Sequence, residues 1–186
     1  MHKKFQIVSL MATMLALPTT KAADINQQEG QAMLLESSAF SPQGDIPKRY
    51  TCDGENVSPP LKWSDLPTNT ASLVLIVDDP DAPDPAAPKR TWVHWLLYNI
   101  PPSVSGLAEA VQTLELPQGT LQGVNDWKKI GYGGPCPPIG RHRYFHKLYA
   151  LDSMLPDLNK PDKATLEKAM TGHILGYQEL IGTYQR

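Results

Sequence analysis

The chain has little of what marks a nucleic-acid binder, a membrane-spanning protein or a metalloenzyme. Its formal charge is only -2, from 17 basic and 19 acidic residues. Without a basic excess, neither nucleic acid nor an anionic membrane surface is an expected partner. No apolar run reaches the roughly 20 residues that a membrane-spanning helix needs. Cysteine occurs only at Cys52 and Cys136, never as a CxxC pair, and two thiols alone make a poor zinc site. The HExxH spacing of zinc proteases and the glycine-flanked serine of many hydrolases are both missing. There is no internal repeat, no linker and no block of like charge. What is abundant is proline, at 18 residues against 13 glycines, which points to many turns between short strands. With 186 residues, 41% of them hydrophobic, the chain suffices for one domain around one core.

The N-terminus reads as a signal peptide. His2, Lys3 and Lys4 give a positive start, residues 5–17 are apolar, Pro18 breaks the run, and Thr20-Lys21-Ala22-Ala23 supplies small residues for cleavage. Residues 1–22 are therefore expected to be removed, leaving 23–186 as a single, mildly acidic domain in the periplasm or outside the cell. In such a compartment the even cysteine count permits a Cys52–Cys136 disulfide, and whether it forms depends on a Cα separation that sequence does not give.

Strand signals dominate the rest. Residues 33–40 are apolar and lead into a turn at 41–44, and Leu61-Lys62-Trp63 alternates like a short strand. Residues 72–77 form an aliphatic, β-branched run expected to be a core strand. It stops at Asp78-Asp79-Pro80-Asp81-Ala82-Pro83, where two prolines end the pairing. Residues 91–100 and 143–151 are expected as further strands. Residues 163–170 should form a helix capped by Asp162, and 174–181 a second short helix. The class is mainly β: a sandwich with short peripheral and C-terminal helices.

Three segments carry chemistry. Asp79-Pro80-Asp81-Ala82-Pro83 is a stiff turn holding two carboxylates, since proline fixes φ and removes a donor. In Trp92-Val93-His94-Trp95-Leu96, strict alternation places Trp92, His94, Leu96 and Tyr98 on one face, with Val93, Trp95 and Leu97 on the other. In Gly140-Arg141-His142-Arg143-Tyr144-Phe145-His146, His142, Tyr144 and His146 share a face. Arg143 points the opposite way, suited to pairing with a carboxylate and bracing a loop.

These motifs occur in an order that resembles the phosphatidylethanolamine-binding, or Raf kinase inhibitor-like, proteins, and the flanking text is similar to their bacterial YbhB/YbcL branch. That text includes Tyr50-Thr51-Cys52-Asp53-Gly54, Ser58-Pro59-Pro60-Leu61 and Tyr132-Gly133-Gly134-Pro135-Cys136-Pro137-Pro138. Ala169-Met170-Thr171-Gly172-His173-Ile174-Leu175 and Gly182-Thr183-Tyr184 extend the likeness to the C-terminus. The resemblance implies a Greek-key sandwich of two antiparallel sheets with a small pocket for phosphate, acetate or a phospholipid head group. Its ligand-binding residues here would be Asp79, Asp81, Pro83, His94, His142 and Tyr144, with Trp92 as a wall. It implies no cofactor and no catalytic residue. Some relatives inhibit proteases or kinases, and residues 112–129 are a natural variable surface for a protein target. The shortened insert between Asp84 and Arg90 departs from the animal members. The rival reading is a metal-dependent hydrolase built on the same Asp/His cluster. In the binding reading, an aspartate orients and charges His142 or His94, whose N–H then meets the anion beside the Tyr144 hydroxyl. Phosphate affinity is accordingly expected to fall as pH rises.

Overall fold

The computed structural model describes residues 32–186, so the expected leader lies outside the described residues. Within them the architecture is mainly β, in two antiparallel sheets. A small sheet joins β1 (Leu34–Glu36), β2 (Leu61–Ser64) and β5 (Gly106–Leu107) in the order β1-β2-β5. A larger one joins β3 (Ser72–Asp79), β4 (Trp92–Ile100), β6 (Leu121–Gln122), β7 (Arg141–Leu151) and β8 (Ile174–Gln185) in the order β6-β4-β3-β7-β8. One α-helix, α1 (Lys163–Met170), covers the outer face of the large sheet, and Asp162 caps it by accepting from the Thr165 N–H at 2.8 Å.

The central strand explains the layering. β3 is buried along its whole length, as its unbroken aliphatic run requires. Leu73, Leu75 and Val77 pack with Leu61 and Trp63 between the two sheets. Val74 and Ile76 point the other way, to Leu166 and Met170 of α1. Period two then carries Asp79 to the inter-sheet side and Asp78 to the helix side. There Asp78, with no exposed surface, is held by Lys147 and Lys163, whose ammonium groups lie within 2.9 Å.

Two expectations need correction. Residues 174–181 are not a helix but the start of β8, which pairs with β7 from Arg141↔Gln185 to Ala150↔Gly176. Leu175, Gln178, Glu179 and Leu180 are good helix formers taken alone. A long tertiary ladder decides otherwise, aided by β-formers such as Ile174, Tyr177 and Tyr184. Gly182 is needed here because a Cβ would sit 2.5 Å from Ile46.

The alternation in β4 is also broken. Val77 pairs with Trp95 while the next residue, Asp78, pairs with Val93. His94 is thus the extra residue of a β-bulge. Past it the faces exchange: Trp95 and Leu97 lie between the sheets, and Leu96 and Tyr98 lie under α1 with Val93. His94 therefore does not share a face with Leu96 and Tyr98. The bulge puts it at the end of the sandwich, beside Trp92.

Candidate functional site

A cavity of about 280 Å³ opens where β3, β4 and β7 reach this end of the large sheet. Asp79 and His142 form its floor with His94, and Pro83, Trp92 and Trp127 wall it in. A larger groove of about 870 Å³ runs along the small sheet past Ser37, Lys62 and Ser105, but it brings together no histidine or aspartate.

The floor is built around one carboxyl–imidazole pair. Asp79 accepts from the Asp81 N–H at 2.8 Å, and its Oδ2 lies 2.7 Å from His142 Nδ1. His142 has no exposed surface, and its Nε2 faces the Ile139 carbonyl at 3.0 Å. A carbonyl only accepts, so Nε2 carries a hydrogen. The 2.7 Å contact then needs one further proton, on Nδ1 or on the carboxyl. In either arrangement the pair is neutral overall. Burial pushes the Asp79 carboxyl above its usual range, against the lowering pull of His142 and the Asp81 amide.

Asp81 faces away from the cavity. Arg143 grips it with Nε at 2.9 Å and Nη2 at 2.7 Å, and the Arg143 backbone N–H adds a third contact at 2.9 Å. This hydrogen bonding holds the Asp81 carboxyl below its usual value despite burial. Arg143 therefore braces the turn as its parity on β7 suggested, and Asp81 is not part of the cavity wall. The turn also receives the Lys89 N–H on the Ala82 carbonyl at 2.9 Å, and the Ala82–Pro83 peptide bond is cis.

His94 is 2% exposed and its Nδ1 lies 2.6 Å from the Gly133 carbonyl. That contact fixes Nδ1 as the protonated nitrogen. Nε2 has no protein partner among the described residues, yet it is not sealed from the cavity that His94 lines. Burial lowers its pKa to about 4, outweighing the Gly133 carbonyl, which acts in the opposite sense. At neutral pH His94 is uncharged and offers a lone pair, not an N–H.

Tyr144 lies beneath the floor instead of lining the cavity. Its ring meets His94 edge-on at 5.2 Å and stacks on His142 at 6.4 Å. Its hydroxyl is sealed and has no hydrogen-bond partner among the described residues, and burial raises its pKa strongly. Trp92 Nε1 is likewise buried without an acceptor. His146 continues the face of His142 and Tyr144 into the core, 5.4 Å from Phe40, where burial lowers its pKa to about 4.

Trp127 was not among the residues expected from sequence. It stands edge-on to Trp92 at 5.3 Å and to His94 at 5.1 Å. Asn125 Oδ1 accepts from the Trp127 and Lys129 amides, and Asp126 Oδ2 from the Val93 N–H at 2.8 Å, so the loop is fastened to the start of β4. An indole among polar residues in Asn125-Asp126-Trp127-Lys128-Lys129 was the available signal.

The remaining wall is Cys136, Pro137 and Pro138, held in place by the segment 131–138. Tyr132 donates to the Tyr50 carbonyl at 2.9 Å, Gly134 N–H to Asn56 Oδ1 at 2.7 Å, and Cys52 N–H to the Pro135 carbonyl at 3.0 Å. Gly134 has no alternative, since a Cβ would fall 2.3 Å from the Tyr50 carbonyl. Cys52 and Cys136 are joined by a disulfide with Cα atoms 5.4 Å apart. Among the described residues, no group of three or more His, Cys, Asp or Glu is placed to hold a metal ion. Asp79 is paired with His142, and Asp81 with Arg143.

The sequence pattern of the family described as phosphatidylethanolamine-binding protein matches residues 36–185. A UPF0098 protein of Methanothermobacter thermautotrophicus is 51% identical over 155 residues, covering 83% of this chain and 99% of the relative. The crystal structure of a phosphatidylethanolamine-binding protein homolog, CT736 of Chlamydia trachomatis, is 47% identical with a TM-score of 0.76, over 83% of this chain and 98% of that one. Escherichia coli YbcL, described as a member of the mammalian PEBP family, is 28% identical with a TM-score of 0.76, over 84% and 99% of the two chains.

Proposed function

Since the chain belongs to the phosphatidylethanolamine-binding protein family, we propose that it is a non-catalytic binding protein whose cavity holds a small anionic group, either phosphate or a phosphate-bearing head group. The observation that carries this reading is the neutralisation of both carboxylates in place. Asp79 shares a proton with His142, and Asp81 is matched by Arg143. An acidic turn beside an anion would otherwise be repulsive by several kcal/mol at contact distances, with an effective dielectric of about 20.

Two further features support it. Trp92, which walls the cavity, carries a buried Nε1 donor without an acceptor, a condition that costs roughly 1–3 kcal/mol, and an anion oxygen is the acceptor that it lacks. The apolar walls exclude water and so strengthen any polar contact at the floor. The disulfide supports an exported location, since such bonds persist in oxidising compartments.

The test is calorimetry with orthophosphate, phosphorylethanolamine and acetate at pH 6. One saturable site is expected, weakened by Trp127→Ala. Absence of binding by all three at millimolar concentration removes the reading. Stoichiometric metal in protein purified without chelator or affinity tag would redirect it to hydrolysis.

A further inference from the structure

The unpaired nitrogen of His94 limits which anions the cavity can accept. Gly133 occupies Nδ1 at 2.6 Å, so the nitrogen left to the cavity is the basic Nε2. His142 cannot supply a substitute donor, because Asp79 and the Ile139 carbonyl take both of its nitrogens. An anion whose oxygens all carry lone pairs would therefore face a lone pair at Nε2. An anion that keeps one acidic hydroxyl instead donates that hydrogen to Nε2 and presents its other oxygens elsewhere.

We infer that the cavity selects anions bearing an acidic O–H, phosphate monoesters and orthophosphate in their monoanionic form, and discriminates against phosphodiesters such as the head group of an intact glycerophospholipid. This rests on the anion-binding reading above and narrows its ligand class. A phosphodiester has one ionisable oxygen and no hydrogen left to give. It meets Nε2 through a hydrogen bond only by protonating His94, a buried imidazole whose proton is held off down to about pH 4. A monoester has a second pKa of about 6 and gives up far less to carry its proton in at neutral pH.

The proton count is explicit. Below pH 6 the monoanion binds without net proton exchange. Near pH 8 the dianion takes up one proton from solvent, placed between the phosphate oxygen and Nε2. The other titratable groups around His94 do not reverse this. Asp79 and His142 form the neutral pair across the floor. Tyr144 meets His94 at its ring edge, and His146 lies further along β7 and disfavours its charge. Asp126 is bonded to the Val93 amide, and Asp78 is neutralised by Lys147 and Lys163. These last two favour a charged His94, but less than burial opposes it.

The deciding experiment is calorimetry on the mature protein with phosphorylethanolamine, glycerophosphorylethanolamine and orthophosphate, at pH 6 and pH 8, in buffers of different ionisation enthalpy. The monoester and orthophosphate are expected to bind at least about tenfold more tightly than the diester at pH 6. Monoester affinity should fall on the order of tenfold or more by pH 8, with uptake of about one proton, as the monoanion is depleted. A diester as tight as the monoester, or monoester binding at pH 8 with no proton uptake, overturns this inference while leaving the anion site standing. Failure of all ligands to bind overturns the anion site itself. His94→Gln offers an amide N–H where the lone pair was, and should narrow the gap between monoester and diester. If that variant does not fold, the proton count on the unaltered protein still decides.

Discussion

Asp79 and His142 lie 2.7 Å apart at the base of the cavity, and the Ile139 carbonyl on the far side of the imidazole commits the pair to holding one shared proton. Either member alone would be a poor occupant of this site. An unpaired Asp79 would be a buried charge, and an unpaired His142 a buried ring with an idle nitrogen. Together they place two hydrogen-bonding side chains at the base of the cavity with no net charge.

That arrangement makes Asp79→Asn a mild change and Asp79→Ala a severe one. In the first, the side-chain amide donates to His142 Nδ1 while Nε2–H keeps the Ile139 carbonyl, so every partner remains matched. A loss of about 1 kcal/mol or less is expected. In the second, Nδ1 and the Asp81 amide lose their acceptor, and about 2–4 kcal/mol should be lost, combining an unsatisfied buried group with a small cavity. Urea unfolding at pH 7 compares them. Equal losses for the two variants would mean that the pair is charged in a way an amide does not mimic.

Arg143 and Asp81 give a second prediction, about shape and not charge alone. The guanidinium makes two parallel contacts to one carboxylate, a geometry that an ammonium does not reproduce. Arg143→Lys should therefore recover less than half of the loss caused by Arg143→Ala, which is about 1–2 kcal/mol for a pair whose basic partner is half exposed. Because the Asp81 carboxyl is held below its unfolded value, this contribution is present above about pH 4 and fades as pH falls through the folded value. Full rescue by lysine would show that only the charge matters.

How much of this was legible in sequence depends on whether a feature is decided locally or across strands. β3 and α1 were readable because composition, proline stops and the Asp162 cap act within a few residues. The partnership of Arg143 followed from parity on an uninterrupted strand. The position of His94 did not, because the extra residue in β4 exists only relative to its pairing with β3. β8 was misread since its helix formers are overruled by a ladder to a strand more than twenty residues earlier. Trp127 owes its place to Asp126 reaching back to Val93, a contact with no local signature.

The disulfide gives a third prediction. It ties the wall at residues 136–138 to the turn at residues 50–54 across a sequence separation of 84. By the chain-entropy model a loop of that length contributes about 4–5 kcal/mol. Replacing both cysteines with serine should lower the urea midpoint by a corresponding amount. Hydrogen bonds from Tyr132, Gly134 and Cys52 also hold this wall, so phosphate affinity should fall less than tenfold at temperatures where the variant remains folded. A wall that collapses, seen as loss of binding by a folded variant, would assign the disulfide the larger part in shaping the cavity.

The last prediction concerns acid. His94 and His146 are buried with pKa values lowered to about 4, against about 6.5 in an unfolded chain. The unfolded state then binds protons that the folded state refuses, so stability is full above pH 6.5 and is lost as pH falls toward 4. Each imidazole is worth roughly 3 kcal/mol over that interval by linkage. Asp79 works in the opposite sense: its raised pKa means that ionisation is what the fold resists, so its contribution grows as the carboxyl protonates on acidification. One carboxyl set against two imidazoles leaves a net loss between pH 6.5 and 4. His146 is the informative position, because its nitrogens have no hydrogen-bond partner among the described residues and it stands away from the cavity against Phe40. No hydrogen bond of ordinary geometry reaches its nitrogens, although the Leu180 and Tyr144 backbone groups lie near enough to oppose the effect of burial, so His146→Leu should cost about 1 kcal/mol or less at pH 7 and should flatten the acid limb of stability by about half. An unchanged slope would place the acid sensitivity on His94, at the floor of the cavity.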